Sequence, residues 1–168
     1  PPAFNAGTGT IFFSGGKGDS QSELNQLKGV NDFIINNYVD PAPVGGTRMH
    51  FYKTITPVSN FGPYTNAEIS SAINKGSVFI SYIGHSGTQT WDNSITSVSQ
   101  LKNTEGRYPL ITDFGCSTGK FAEPDILSFS QLFLLDPNGS AIAYIGNASL
   151  GFFSTATTAP QIFYRNIL

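Results

Sequence analysis

The segment SVFISYIGHSG, residues 77–87, decides the fold that we predict for this chain. Its first part, residues 77–83, is a nearly continuous run of β-branched and aromatic residues. This pattern is typical of a strand that is covered on both faces in a parallel sheet. The run ends at Gly84 and His85, so the segment predicts a buried central strand with a histidine at its carboxyl end.

Similar apolar runs lie on both sides of this central strand. They predict four further strands, at residues 10–14 (TIFFS), 48–54 (RMHFYKT), 109–114 (PLITDF) and 140–145 (SAIAYI). Helical patterns separate the strands, at residues 20–34, 63–75, 94–101 and 125–135, and a last helix is predicted to begin near Pro160. Strands that alternate with helices pair in parallel through right-handed crossovers. The sequence therefore predicts an α/β fold, a three-layer α/β/α sandwich with a mainly parallel sheet.

The first helix carries a specific start signal. Ser20 stands three residues before Glu23, which is the spacing of a capping box. Leu24, Leu27 and Ile34 follow at helical spacing, so one face of this helix is predicted to pack against the sheet.

Composition narrows the classes of partner. The chain has 168 residues, of which only 12% are charged, and its net charge is -2, so it offers no basic surface for nucleic acid or an anionic membrane. No apolar run reaches the ~20 residues that span a bilayer. One cysteine excludes an internal disulfide. We expect residues 1–168 to form a single domain or subdomain, a fragment of a longer protein.

Two candidate catalytic side chains follow successive buried strands. His85 comes directly after residues 77–83, and Cys116 follows residues 109–114 in the same way. Ligand sites of open parallel sheets lie at the carboxyl ends of the strands. A thiol becomes a nucleophile as its thiolate, and a nearby imidazole can take its proton. We predict that His85 and Cys116 form a catalytic pair, and that His50, inside a strand, is structural.

Small residues surround both candidates. Gly84, Ser86 and Gly87 flank the histidine, and Gly115 precedes the cysteine. Such residues let a substrate backbone approach closely and leave main-chain N–H groups free for a developing oxyanion. We therefore predict that these four residues form or border an oxyanion site. The alternative is that the cysteine is a small buried hydrophobic residue.

Further side chains on these loops are candidates for a substrate pocket, namely Trp91, Asp92, Asn147 and Phe152. Aromatic walls commonly shape such pockets, although core packing would explain the aromatic residues as well. Acidic side chains could orient the histidine or recognise a basic substrate, with helix capping or solvation as the alternative. Asp92 is the first candidate because it shares the histidine loop, and the others are Asp113, Glu123 and Asp125.

The glycine-rich loop at residues 14–20 follows a strand and opens a helix, so a phosphate site must be considered. Its spacing matches neither the P-loop nor the dinucleotide-binding pattern. An ordinary turn is favoured, and a flavodoxin-like ligand-binding domain is the alternative.

Two segments match known motifs. FISYIGHSGTQTWD, residues 79–92, and LITDFGCSTGKF, residues 110–121, resemble the strand with its Gly-His pair and the strand with its nucleophilic Cys in one family of cysteine peptidases. Residues 121–135 and 140–152 are similar to the helix and strand that follow. The family is that of the gingipain-like cysteine peptidases, peptidase family C25, in the caspase-like clan. The resemblance covers roughly residues 77–168.

The resemblance implies a caspase-like fold and hydrolysis of peptide bonds in proteins or peptides. It implies that Cys116 forms a thioester and that His85 is the general acid and base. It implies no required cofactor, a structural Ca²⁺, an extracellular or bacterial surface location with type IX secretion, and other domains of the same precursor as partners. No nucleic acid and no membrane insertion are expected.

This chain departs from the family at two positions. The family usually has Gly directly after the His, where this chain has Ser86, and often has Ala before the Cys, where this chain has Gly115. The alternative function is therefore a catalytically inactive gingipain-like domain that serves as a binding or structural module of a secreted or surface protein.

Overall fold

The computed structural model describes the chain except residues 1, 2, 4, 6, 8, 18, 56, 58, 104, 105 and 138–140. Its α-helices are α1 (Gln21–Ile34), α2 (Asn66–Asn74), α3 (Phe129–Leu135) and α4 (Phe153–Ile167). A π-helical turn, Ile35–Val39, extends α1, and Val98–Leu101 form a 3₁₀ turn. The strands are β1 (Gly9–Ser14), β2 (Thr47–Tyr52), β3 (Phe79–Ile83), β4 (Ser86–Gly87), β5 (Thr90–Trp91), β6 (Leu110–Asp113) and β7 (Ala143–Ile145).

A parallel five-stranded sheet forms the centre of the molecule, in the order β2-β1-β3-β6-β7. The strand β3 lies in the middle, and Tyr82 near its end pairs with Asp113 at the end of β6. Because these strands are parallel neighbours, the loops that follow them start at the same edge of the sheet. The predicted α/β fold with a mainly parallel sheet is confirmed.

Buried side chains cover both faces of the sheet. Along β1, Ile11 and Phe13 join one apolar cluster with residues of α2 and α3, while Phe12 joins a second cluster with α1 and α4. This alternation follows from the two-residue period of a strand. The Leu27 side chain of α1 and the Tyr164 ring of α4 are both fully buried in the second cluster.

Two helix boundaries differ from the sequence prediction. The helix predicted at residues 125–135 begins only at Phe129, where the Ser128 hydroxyl accepts the Gln131 N–H and caps it. The last helix begins at Phe153 and contains Pro160 in its interior, so a start near that proline was wrong. A proline is favoured at the first turn because it lacks an N–H. Here the buried face of α4 outweighs the lost hydrogen bond.

The helix predicted at residues 94–101 is observed only as the 3₁₀ turn Val98–Leu101. The remaining elements agree with the prediction apart from short shifts at their ends. The strand predicted at residues 140–145 is observed from Ala143, and residue 140 lies outside the described part. The hairpin of β4 and β5 was not predicted. None of the helices in the described ranges is long and apolar enough to cross a membrane.

Candidate active site

The His85 main chain is held where β3 ends. Its carbonyl oxygen accepts two hydrogen bonds, one from the Tyr82 hydroxyl and one from the Asp92 N–H at 2.8 Å. The Tyr82 ring stacks on Trp91 with a centroid distance of 4.6 Å and an angle of 7°. The backbone at His85 is therefore fixed by the core, while its side chain remains 48% exposed.

The Cys116 loop is fixed from both sides. The Gly115 N–H donates to Asp113 Oδ1 at 2.7 Å, and Asn147 Nδ2 donates to the Gly115 carbonyl at 2.7 Å. The Gly151 N–H approaches Cys116 Sγ at 3.4 Å, within hydrogen-bonding range for sulfur. The thiol is free and partly exposed. The loop thus presents a thiol that forms no disulfide at the carboxyl edge of the sheet.

A small cavity of about 50 Å³ lies at this edge, and both His85 and Cys116 line it. Its other walls come from Leu27, Gly84, Phe114, Gly151, Phe152, Phe153 and Ala156. The topology therefore brings to one cavity the two side chains that the sequence analysis singled out. Larger grooves occur elsewhere on the surface, but neither side chain lines them.

The carboxylate beside His85 was missed by sequence reasoning. Glu23 Oε1 lies 2.9 Å from His85 Nε2 and also accepts the Lys17 N–H at 2.9 Å. The Ser20 hydroxyl accepts the Glu23 N–H, as the capping pattern predicted. The side chain of Glu23, however, reaches the histidine and the Lys17 amide. The available signal was its position in the first turn after β1, at the same edge of the sheet.

A glycine makes room for this carboxylate. Gly16 has a φ of +122°, and a Cβ at this position would lie 3.2 Å from Glu23 Oε1 and 3.1 Å from both Leu24 Cδ2 and Leu27 Cδ1. A side chain at residue 16 would therefore be strained and would press on Glu23. The glycine-rich loop predicted as an ordinary turn thus helps to place the partner of His85.

Asp113 is a buried carboxyl group beneath the cysteine loop. It accepts hydrogen bonds from Trp91 Nε1 at 2.6 Å, from the Tyr144 hydroxyl and from the Gly115 N–H. Burial raises the pKa of Asp113 above its usual value, and these hydrogen bonds oppose the shift. Its contacts give it a structural role in holding the loop, and it does not line the cavity.

The structure does not bring Trp91 and Asp92 into the candidate substrate pocket. Trp91 is fully buried in the core, and Asp92 forms a buried ion pair with Lys53 at 2.8 Å. A short hairpin turns both side chains inward, a feature that the sequence pattern did not reveal. Of the other acidic candidates, Glu123 pairs with Lys120 and Asp125 is exposed; neither lines the cavity.

Phe152 and Asn147 have different positions. Phe152 lines the cavity and is 78% exposed, although it precedes the first residue of α4 instead of lying in an open loop. Asn147 contacts the cysteine loop through the Gly115 carbonyl. Gly84 lines the cavity, and Ser86 and Gly87 form β4.

The two departures from the family pattern meet in space. The Ser86 hydroxyl donates to the Cys116 carbonyl at 2.7 Å. A Cβ added to Gly115 would collide with Ser86 Oγ and would lie 2.9 Å from Ser86 Cβ. The side chain present at residue 86 thus occupies the space that a residue larger than glycine would need at residue 115.

The second histidine lies at the other side of β1. His50 Nε2 is 2.8 Å from Ser14 Oγ, and its Nδ1 is 3.1 Å from Asp32 Oδ1. Burial is the main cause that lowers the pKa of His50 to about 4, while Asp32 favours the charged form and Lys28 disfavours it. No described pocket contains His50 or Ser14 among its lining residues.

Metal-ligating side chains do not cluster in the part of the chain that the structure describes. No group of three His, Cys, Asp or Glu side chains there could hold a metal ion. Calcium sites usually combine several carboxylate and carbonyl oxygens. Because backbone and amide carbonyl oxygens also bind calcium, the structural Ca²⁺ that the resemblance implies stays a prediction.

A parallel α/β sandwich that presents a histidine and a cysteine from adjacent strand ends is typical of the caspase-like cysteine peptidases. The chain belongs to peptidase family C25, whose family model matches residues 3–168. A search of curated proteins found no match. The family assignment made from the sequence motifs is confirmed.

Solved structures agree with this assignment. The Arg-specific cysteine proteinase gingipain R is similar at a TM-score of 0.67 with 15% identity, over 94% of this chain and 36% of that one. A complex of the pro- and mature domains of Porphyromonas gingivalis RgpB is similar at 0.67 with 17% identity, over 95% and 37%. A further structure, described as a protease, gives 0.66 and 22% identity, over 88% and 30%. The chain thus spans about a third of the proteins that it matches, and these likenesses show the fold.

Proposed function

We propose that this chain is the catalytic part of a cysteine endopeptidase, in which Cys116 is the nucleophile and His85 the general acid and base. The observation that carries the proposal is the shared cavity at the carboxyl edge of the sheet, which both side chains line. Membership of a cysteine peptidase family supports the reaction class. Because the chain spans only about a third of the matched structures, its own activity is part of the proposal.

The contacts of His85 supply a tautomer for this chemistry. A carboxylate only accepts hydrogen bonds, so the proton of the neutral His85 ring lies on Nε2, which donates to Glu23 Oε1. The Nδ1 atom then carries the lone pair that takes the proton from the Cys116 thiol. Glu23 acts as a positioning residue, since it fixes the ring and favours the imidazolium that forms.

The reaction has two halves. The Cys116 thiolate attacks the peptide carbonyl carbon, and the tetrahedral intermediate collapses when the imidazolium of His85 gives its proton to the leaving amine. A thioester remains. Water then loses a proton to His85 and attacks the thioester, and the returned proton restores the thiol as the carboxylic acid leaves.

Main-chain N–H groups support an oxyanion site. Among the residues that the structure describes, no acceptor is found for the Cys116 N–H. Opposite residues in an antiparallel pair of strands alternate between hydrogen-bonded and non-hydrogen-bonded pairs. The Asp92 N–H donates to the His85 carbonyl, so the next pair, Ser86 with Trp91, is a non-hydrogen-bonded one. The Ser86 N–H therefore donates to no partner within this hairpin. The Ser86 and Cys116 N–H groups are the proposed donors to the oxyanion.

The wider setting of the enzyme is also proposed from the family resemblance. Residues 1–168 act as one catalytic unit of a longer protein whose other domains are its partners, and its substrates are proteins or peptides. An extracellular or bacterial surface location, reached by type IX secretion, and a structural Ca²⁺ complete this proposal, both taken from the family resemblance.

Hydrolysis of a peptide library with varied residues at each position tests the proposal, with products identified by mass spectrometry. We expect cleavage by the unaltered protein and a loss of at least about 10³-fold in Cys116→Ala. Labelling by iodoacetamide is the second readout, and Cys116 should react faster than a model thiol only while His85 is present. His50→Gln is the control, since it removes a histidine that lines no described pocket.

Two results would overturn the proposal. Full hydrolysis by Cys116→Ala would exclude that side chain as the nucleophile. Absence of Cys116-dependent hydrolysis, together with labelling no faster than a model thiol, would instead favour the inactive binding or structural module.

A further inference from the structure

We propose that the cavity beside Cys116 selects substrates with a small or medium-sized apolar side chain on the acyl side of the cleaved bond. We further propose that Ala156 and Phe152 determine this preference. The inference rests on the proposed peptidase function and names the substrate class of the same site.

The walls of the cavity are the first observation. Apart from His85 and Cys116, they consist of glycines and the apolar residues Leu27, Phe114, Phe152, Phe153 and Ala156. None of these lining residues carries a carboxylate. An Arg or Lys side chain would enter without an ion partner, and burying an unpaired charge is costly. The lining therefore disfavours a basic substrate residue.

The nearest carboxylates are committed to other contacts. Glu23 Oε1 already serves both His85 Nε2 and the Lys17 N–H. Asp113 lies beneath the cysteine loop with three hydrogen-bond donors. Asp92 is paired with Lys53 in the interior. None of the three lines the cavity.

The dimensions of the cavity are the second observation. Its volume of about 50 Å³ exceeds the roughly 10–15 Å³ that a single water needs, so it admits a group of a few heavy atoms. Ala156 lies in the first part of α4 and contributes only a methyl group to the wall. A larger residue at this position would fill the space.

Phe152 supplies the apolar surface at the mouth of the cavity. Its side chain is 78% exposed. Contact with an apolar substrate side chain would remove part of this ring from water, and such burial is favourable at about 25 cal/mol per Å². The ring therefore favours an apolar substrate residue over a polar one.

The test compares kcat/KM for peptides that differ only in the residue before the cleaved bond. We expect the values for Ala, Val or Leu to exceed those for Arg, Lys and Asp by at least about tenfold. Ala156→Asp should raise the ratio of Lys to Val by at least about tenfold, because it places a carboxylate in the wall. Ala156→Leu should shift the preference from Val towards Ala and Gly, and Phe152→Ala should lower the rates for Val and Leu.

Thr155→Asp is the matched control. It adds the same charge to α4 at an exposed position that does not line the cavity, so the ratio of Lys to Val should stay within about twofold of the original. An equal gain in this control would mean that charge near the helix, not the wall of the cavity, sets the preference, and would overturn the inference.

The outcomes separate this inference from the proposed function. A Cys116-dependent kcat/KM for Arg, Lys or Asp peptides that equals or exceeds the value for Ala, Val or Leu peptides would overturn the apolar preference and leave the peptidase intact. If Ala156→Asp and Ala156→Leu both kept the original profile, the cavity would not be the binding site for this side chain. Absence of any Cys116-dependent cleavage would overturn both.

Discussion

Two histidines of this chain have similar partners and opposite surroundings. His85 lies between Glu23 and the cavity that it shares with Cys116, while His50 lies between Asp32 and Ser14. Each therefore combines an imidazole with a carboxylate, and each has a side chain of nucleophilic type in its surroundings. By residue types alone, the second arrangement looks like a serine hydrolase triad.

Access distinguishes the two arrangements. The Ser14 residue is 1% exposed and its hydroxyl also bonds to Asn31, so no substrate can reach it. The His50 side chain is 10% exposed, and burial keeps its pKa at about 4, whereas the His85 side chain is 48% exposed beside an open thiol. The comparison teaches that the position of a histidine relative to the sheet edge, more than its partners, decides its use.

The sharpest way to break this comparison is to remove each histidine in turn. We expect His85→Ala to lower kcat/KM by about 10³-fold, because general acid and base catalysis is lost. His50→Gln should leave kcat/KM within about twofold for the folded protein. Steady-state hydrolysis of the best library peptide measures both. A larger loss in His50→Gln than in His85→Ala would contradict the assignment of His85 as the catalytic histidine.

The dependence of stability on pH should separate the buried histidine from the open one. The pKa of His50 is lowered from 6.5 to about 4, so the unfolded state binds more protons between these values. The contribution of His50 is thus fully present above pH 6.5 and is lost as the pH falls towards 4, by up to about 3 kcal/mol. Asp113, whose pKa is raised by burial, has the opposite slope.

The measurement is therefore a difference between two proteins. The free energy of unfolding in urea, followed from pH 7 to pH 4, should fall more steeply in the unaltered protein than in His50→Gln. Effects of Asp113 and of other carboxyl groups that do not contact His50 cancel in this difference. Equal slopes would show that His50 does not carry the pH dependence.

Glu23 offers a smaller test of how the open histidine is used. We expect Glu23→Gln to lower kcat by about 10-fold to 100-fold with little change in KM, because the ring loses its charged partner but the cavity keeps its walls. Glu68→Gln is the matched control, since Glu68 has the same third position in the capping box of α2, away from the site. Equal losses in both variants would mean that Glu23 has no specific role in positioning His85.

The strands and the placement of His85 and Cys116 at one edge could be predicted because residues 77–83 and 109–114 are mostly apolar runs that are followed by glycine. Parallel neighbours then deliver whatever follows them to a common edge. Glu23 could be placed in the first turn of α1 but not beside His85, because that contact joins residues 62 positions apart. Its local capping pattern already explained the residue.

Other errors have similar causes. Trp91 was expected at the rim because it follows the histidine in a loop, but the β4–β5 hairpin turns it into the core, where it stacks on Tyr82. Strands of two residues have no periodicity to detect. Pro160 suggested a helix start from local propensity, which the packing of α4 overrides. Contacts between distant segments decided each of these positions.

The smallest expected effect concerns one hydrogen bond in the site of His85 and Cys116, which has no counterpart at His50. Ser86 Oγ holds the Cys116 carbonyl at 2.7 Å and fills the space next to Gly115. Ser86→Gly should slow iodoacetamide labelling about threefold to fivefold, since a hydrogen bond of about 1 kcal/mol is lost. Gly115→Ala should slow it by a similar factor because its methyl group collides with the hydroxyl.

The double variant decides whether these two positions act together. Ser86→Gly removes the hydroxyl with which the methyl group of Gly115→Ala would collide. The labelling rate of the double variant should therefore exceed the rate calculated from the two single variants, with a coupling of about 1 kcal/mol. The same cycle measured by thermal unfolding should show the collision of Gly115→Ala relieved. Additive effects would mean that Ser86 and Gly115 act independently. The double variant, which moves the side chain from residue 86 to residue 115, would then not preserve the geometry at Cys116.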